Sequence, residues 1–312
     1  MGEIYTLYTR SNFDGLVCAT LLREIGLIDN IKFVHPKDIQ DGLISIDENS
    51  VTAGLPYTEG VYIAFDHHSS ESKRTPEIKD NYIIEPTAPS SSRVIYEYFG
   101  GEDRFDERLT ELLKAVDIAD CSTYTEEDIL NPKGWVLLNY IMDARTGLGR
   151  HKDFTISNLQ LMYKLIDLLL TKSIDEIMED PDIKERIDVY FAEQPKFIEQ
   201  LKRCSRKENN TVILDLRNEE QICIGNRFML YLLNPDCNLS IHVIWGLKKS
   251  KTVFAVGKSI INKSCPVDIG SMLYEHYQGG GHINAGTCQI ANDKADVELN
   301  NLIKMIEEYS ES

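Results

Sequence analysis

The chain has 312 residues, enough for one large domain or two ordinary ones around a sizeable core. Apolar residues make up 42 % and charged residues 27 %, which excludes a disordered or fibrous chain. A net charge of −17 repels polyanions at long range and excludes a protein that coats long nucleic acid. A small anion can still bind where a metal or a local Arg/His cluster reverses the sign.

No apolar run approaches the ~20 residues of a membrane-spanning helix, so no membrane partner is expected. The seven cysteines are scattered without a C-x-x-C pair. That pattern fits reduced thiols, and the opening "MGEIYTLYTR" lacks the basic-then-apolar build of a signal peptide. A cytoplasmic location is expected.

In chain order, "EIYTLYT" (3–9) predicts a strand and "DGLVCATLLREIGLI" (14–28) a helix. "NIKFVHP" (30–36) and "GVYIAFD" (60–66) predict strands, "SSSRVIYEYFG" (90–100) and "DERLTELLKAVDIAD" (106–120) helices. Strands alternating with helices imply an α/β domain with a mostly parallel, Rossmann-like sheet. Two further helical stretches follow, "FTISNLQLMYKLIDLLL" (154–170) and the charged, amphipathic "VYFAEQPKFIEQLKRCSRKEN" (189–209). Beyond them the chain turns to short strand-like runs at 210–217, 238–247, 251–259 and 284–291, with one helix, "DIGSMLYEHY" (268–277), and a closing helix from 294. This change of character places a boundary near 185–205. Residues 1–190 form a first domain with a helical connector, and 205–312 a second, smaller α+β domain.

Four stretches carry chemistry. In "VYIAFDHHSSE" (61–71) a buried strand ends on Asp66, His67 and His68. Ligands of open α/β sheets sit at the carboxyl ends of strands, and two imidazoles with a carboxylate supply metal ligands and proton-transfer groups there. The opening loop "TRSNFDG" (9–15) has the same order of strand, loop, Asp14 and helix; Asp14 is read equally well as a helix cap or as a ligand. "LLKAVDIADCSTY" (112–124) ends a helix on Asp117 and Asp120. "YEHYQGGGHINAGT" (274–287) sets three glycines before His282, a backbone able to approach an anion closely.

In this order and separation the four stretches resemble the DHH superfamily of phosphoesterases, in its two-domain DHH/DHHA1 form. That form includes exopolyphosphatase-related proteins, nanoRNase/pAp phosphatases and cyclic-dinucleotide phosphodiesterases. The resemblance covers nearly the whole chain, and "DHH" at 66–68 with "GGGH" at 279–282 are its specific parts. It implies a hydrolase that cuts a terminal phosphodiester or phosphoanhydride with two divalent cations, usually Mn²⁺ with Mg²⁺ as the alternative. Carried over by motif, Asp14, His67 and Asp120 would ligate one metal, with Asp66 and Asn12 beside them. His68 would contact the phosphate, with Asp66 sharing the catalytic role. Gly279, Gly280, Gly281 and His282 would bind the substrate's far end. The implied substrate is a small anionic nucleotide or phosphate: a short oligonucleotide, pAp, a cyclic dinucleotide or polyphosphate. A homodimer is compatible with this reading.

The sequence departs from the family pattern in the first two motifs. The first motif begins with a His and has an Asp two residues before the one matching Asp14; here those places hold Tyr8 or Thr9, and Asn12. The second motif is a lone Asp between the first motif and DHH. "VTAGLPY" (51–57) holds no acid, and Asp38, Asp41 and Asp47 are the nearby candidates. Two dications a few ångströms apart need several carboxylates to offset their repulsion. One cation is therefore expected to bind firmly, and the second weakly or together with substrate phosphate. Arg145 and Arg150, flanking a Gly-containing turn, are candidates to replace the missing metal charge at phosphate. Ser90–Arg93 at a helix start and His35 after a strand read as capping and structural residues. Two other readings stand beside the hydrolase. One is a catalytically weak or inactive relative that senses a nucleotide or phosphate. The other, a dehydrogenase-like fold, is weak because "RSNFDG" is no G-x-G-x-x-G turn.

Overall fold

The computed structural model describes residues 4–68, 71, 75, 77, 79–151 and 153–311. The chain divides into two compact units, Met1–Tyr124 with Pro132–Tyr190, and Thr125–Asn131 with Phe191–Ser312.

In the first unit a parallel sheet is built from β1 (Tyr5–Thr9), β2 (Ile28–Phe33), β3 (Ser50–Ala53), β4 (Ile63–Asp66) and β5 (Tyr82–Ile84). Their order across the sheet is β2-β1-β3-β4-β5, and each neighbouring pair runs parallel. Parallel strands are covered on both faces, so β3 and β4 are buried at every residue instead of alternating. The connections leave β1 and β3 in opposite directions. The crevice outside their carboxyl ends is where open α/β sheets bind ligands.

The sequence had shown β1, β2 and β4. It did not show β3 and β5, of four and three residues; β4 is as short as β3 but ends the longer apolar run "VYIAF" (61–65), which neither of the others has. Helix α1 (Phe13–Glu24) is buried from Phe13 to Leu22, since it packs on α3 (Ser91–Tyr98), α4 (Glu107–Asp120) and α5 (Asn158–Thr171) as well as on β1 and β2. The short α2 (Pro36–Gln40) follows β2. A helix apolar on all sides belongs inside the layer stack, and this one brings its first turn to the sheet's carboxyl edge.

The second unit holds a six-stranded mixed sheet of β6 (Ser205–Glu208), β7 (Thr211–Asp215), β8 (Leu239–Trp245), β9 (Thr252–Lys258), β10 (Gly280–His282) and β11 (Ala285–Ile290). The order is β10-β11-β9-β8-β7-β6; β7 and β8 pair in parallel and the other pairs are antiparallel. Its core joins Ile213, Ile241, Val243, Phe254 and Val256 to Met272 and Leu273 of α6 (Ile269–Tyr277) and to Leu302 and Ile303 of α7 (Ala295–Glu311).

Two sequence expectations change here. The charged stretch predicted to be helical to residue 209 leaves the helix at Cys204, and Ser205–Glu208 becomes the edge strand β6. Asn209, at a φ of 50°, turns that strand back onto β7, a left-handed conformation that asparagine tolerates. The "GGGH" segment is not a loop between helix and strand. Gly280–His282 is itself strand β10, paired with β11.

One contact ties the first helix to the first strand. A Cβ on Gly15 would lie 2.0 Å from the Arg10 carbonyl oxygen and 2.8 Å from Thr9 Oγ1. Only glycine lets α1 start this close to the end of β1. Gly15→Ala is expected to destabilise the protein by about 2 kcal/mol, because backbone must move to admit the methyl group. The measurement is the midpoint of urea unfolding; an unchanged midpoint would show that the contact is slack.

Candidate active site and metal cluster

Strand β4 delivers Asp66 fully buried at its carboxyl end. Its Oδ1 accepts from the backbone N–H of His67 at 2.8 Å and of His68 at 3.3 Å, and lies 2.6 Å from His68 Nδ1. Its Oδ2 accepts from the Tyr82 hydroxyl at 3.4 Å, a contact reaching over from β5. Asp66 thus shapes the turn after the strand and holds the His68 ring. With the Nδ1 proton directed at Asp66, Nε2 of His68 faces away from the turn, 3.5 Å from Arg10 Nη1.

His67 points the other way. Its Nδ1 bonds the Ala88 carbonyl at 3.1 Å, which leaves Nε2 as the nitrogen that would give its lone pair to a metal ion in the neutral ring. Nε2 is buried, makes no hydrogen bond, and lies 3.1 Å from Asp120 Oδ2. Asp120 is the last residue of α4, and Asp14 stands in the first turn of α1. One donor atom from each of Asp14, His67 and Asp120 falls within 4.8 Å of the others.

Asp14 is held hard. Its Oδ1 accepts from Ser92 N at 2.8 Å and its Oδ2 from Ser91 N at 3.2 Å, so the exposed N–H groups at the start of α3 grip the carboxylate. Burial raises the Asp14 carboxyl above its ordinary range and the Asp120 charge adds to the rise; His67 and the Ser92 N–H pull it back. For His67, burial alone would lower the ring. The Asp120 and Asp14 carboxylates override it and push the ring up to about 9. Two carboxylates and an imidazole this close call for a cation between them. An imidazole oriented through a backbone carbonyl, beside two carboxylate oxygens, fits a divalent metal ion.

Both acidic helix ends are tied together one turn away. Ser90 caps α3, donates its hydroxyl to Asp117 Oδ1 at 2.7 Å and accepts from Arg93 N at 3.0 Å. Arg93 binds Asp117 Oδ2 through Nε at 3.1 Å and Nη2 at 2.5 Å. Asp117 lies one turn before Asp120 on α4, so this pair fixes the helix that carries Asp120 to the helix that grips Asp14.

The remaining residues singled out in the sequence fall elsewhere. Asn12 caps α1 by accepting from Gly15 N at 3.0 Å, so the cap role left open for Asp14 belongs to Asn12. Strand β3 ends at Ala53, and Gly54 follows, so neither residue supplies an acid itself. A Cβ there would sit 3.2 Å from Ser91 Oγ and 3.8 Å from Asp14 Oδ2. Of the candidate second-motif acids, Asp47 accepts from Ser50 Oγ and Asn49 N in a local turn. Asp41 pairs with Lys37 on the surface, and Asp38 lies in the first turn of α2. His35 caps α2 through Nδ1. Arg145 is exposed and its fork is taken by Asp143, with Nη2 at 2.7 Å and Nε at 2.9 Å. The Arg150 guanidinium lies over Gly147, where an added Cβ would meet it.

A solved structure matches this architecture throughout. The pGpG-specific phosphodiesterase PggH from Vibrio cholerae is 47 % identical, over 97 % of this chain and 99 % of its own, with a TM-score of 0.83. The chain belongs to the DHH superfamily of phosphoesterases. An exopolyphosphatase-related protein from Bacteroides fragilis shares the fold, with a TM-score of 0.51 at 13 % identity over 99 % of this chain and 93 % of that one. No protein-family model matches the chain, and no curated protein matches it. The DHH phosphoesterase is thus a phosphohydrolase whose Asp14–His67–Asp120 cluster sits at the carboxyl edge of its parallel sheet.

In this DHH phosphoesterase the glycines at 279–281 divide by environment. A Cβ on Gly279 would meet Thr287 O at 2.5 Å, and one on Gly281 would meet Ala285 O at 2.2 Å, so the β10–β11 pairing accounts for both. Gly280 faces open space, and His282 is exposed. Sequence reading passed over Arg10. The available signal was a lone base at a strand end, in the loop that carries Asp14.

Asp120→Asn keeps the side chain's shape and removes its charge. It is expected to weaken Mn²⁺ binding by at least ~10–100-fold in a titration followed by electron paramagnetic resonance. Unchanged affinity would place the ion elsewhere. Arg93→Ala leaves Asp117 half-buried without its cation, and is expected to cost about 1–3 kcal/mol in urea unfolding.

Proposed function

We propose that this DHH phosphoesterase hydrolyses the phosphodiester of a short linear dinucleotide of the pGpG type, with Mn²⁺ or Mg²⁺ held by Asp14, His67 and Asp120. The observation that carries the reading is the clustered aspartate–histidine–aspartate donor set beside the Asp66–His68 pair. Likeness to PggH supports the substrate class, and the acidic surface supports a small substrate over a long polyanion.

A divalent ion in this cluster would polarise the scissile phosphate and lower the pKa of a bound water. The protein's own groups do the rest. Ser91 and Ser92 N–H groups hold Asp14 in place, Ala88 sets the His67 ring, and the Ser90–Arg93–Asp117 bonds hold the end of α4. Asp66 fixes the His68 ring so that Nε2, when it carries a proton, donates to a phosphate oxygen. Residues 1–190 act as the DHH domain. Residues 205–312 act as the DHHA1 domain, whose Gly280 and His282 are its candidate substrate contacts, with Gly279 and Gly281 shaping that strand.

Purified protein with Mn²⁺, offered pGpG, pAp, a cyclic dinucleotide and polyphosphate, is expected to turn over pGpG with the highest kcat/KM. Chelation should abolish the rate. No turnover of any of the four, with nucleotide binding retained, would instead support the sensor reading, which Asn12 and the missing second-motif acid favour.

Asn12→Asp tests the charge argument separately. Aspartate caps a helix as well as asparagine does, so stability should change by less than about 0.5 kcal/mol. The added charge should tighten a second Mn²⁺ ion and raise the rate at high Mn²⁺. A single bound ion with an unchanged rate would show that charge at this position does not limit the second metal.

A further inference from the structure

Arg10 occupies the end of β1, at the same carboxyl edge as the metal cluster. Its backbone is fixed by the close approach of α1, since Gly15 packs against the Arg10 carbonyl. Its side chain is half-buried and reaches across to β4, with Nη1 3.5 Å from His68 Nε2. Among the described residues no carboxylate pairs with it; its one polar side-chain contact is that imidazole. A guanidinium facing the lone-pair nitrogen of a histidine, with no acid of its own, has donors left for an anion.

The charge of the site points the same way. Asp14, Asp66 and Asp120 supply three carboxylates, and Asn12, two residues before Asp14, supplies none. One dication and one guanidinium balance three carboxylates. A second dication would leave the site with two excess positive charges before substrate arrives, and with no further acid to hold it.

We propose that Arg10 is a phosphate-binding, charge-supplying residue that takes the place of a second metal ion, so that this protein works with one tightly bound divalent cation. In the complex, the guanidinium and the protonated Nε2 of a His68 imidazolium would donate to one non-bridging oxygen of the scissile phosphate, and an ion held by Asp14, His67 and Asp120 would supply further positive charge. A fixed guanidinium stabilises charge that grows on those oxygens in the transition state and needs no carboxylate cage to stay in place. The inference rests on the phosphoesterase reading for its substrate. Its core, one metal and an arginine at the phosphate, is read out by binding as well as by turnover.

The test uses the full chain and its Arg10→Ala and Arg10→Lys variants. Mn²⁺ stoichiometry by electron paramagnetic resonance should be one tight ion per chain in all three. With Mn²⁺ present, calorimetry should show pGpG binding weakened at least 10-fold in Arg10→Ala and less in Arg10→Lys. Where turnover is measured, kcat for Arg10→Ala should fall by ~10²–10³-fold, the loss typical of removing one preorganised donor to a developing anion. Added guanidinium ion should restore part of that rate, a rescue that a merely structural role for Arg10 would not give. Two tight Mn²⁺ ions in the unaltered chain, or pGpG affinity unchanged in Arg10→Ala, would overturn the proposal. Weakened binding in Arg10→Ala without turnover by the unaltered chain would instead overturn the hydrolase reading and leave the arginine's role standing.

Discussion

A buried carboxylate at the junction of two helices and a sheet is the constraint on which this site depends. Asp14 is 5 % exposed, and a charge taken out of water must be met by hydrogen bonds and an opposite charge. The N–H groups of Ser91 and Ser92 provide the first, His67 or a metal ion the second. Much of the surrounding structure serves that need. α3 begins where its free N–H groups meet Asp14, and Ser90, Arg93 and Asp117 hold the end of α4 so that Asp120 joins the cluster.

The same constraint explains the different fates of the three DHH residues. Asp66 spends its oxygens on the turn and on the His68 ring, and so does not enter the Asp14–His67–Asp120 set. His67 is turned by a backbone carbonyl towards the two aspartates, and His68 by a carboxylate towards Arg10. The two rings stay in edge contact, with centroids 4.5 Å apart, and are sorted into different tasks by their bonding partners alone.

Asn12 also finds its reason here. An asparagine at that position caps α1, and with Gly15 it fixes how closely the helix follows the strand. The site gives up one negative charge without giving up the helix start. Gly54, at a φ of 63° after β3, sits where a Cβ would be 3.2 Å from Ser91 Oγ and 3.8 Å from Asp14 Oδ2. A site poorer in acids holds less cationic charge in the form of metal ions, and a covalently attached guanidinium is the alternative source.

Amino-acid order by itself determined the fold class, through apolar strands alternating with amphipathic helices, and the superfamily, through DHH and GGGH at their separation. Asp14, His67 and Asp120 came as a ligand set only through the family resemblance that those motifs carry. What it left open was decided by tertiary structure. Strands β3 and β5 exist because their neighbours pair with them, not through any pattern of their own. The choice between cap and ligand at Asn12 and Asp14 depended on which way each side chain faced at the start of α1. Arg145 looked suited to phosphate until Asp143, two residues before it, took its fork. Arg10 drew no notice in the sequence, and only folding set it beside a histidine fifty-eight positions away. Local sequence records what a segment can form. Which charges meet is settled only when distant segments pack, because electrostatic contacts depend on distances that the chain order does not contain.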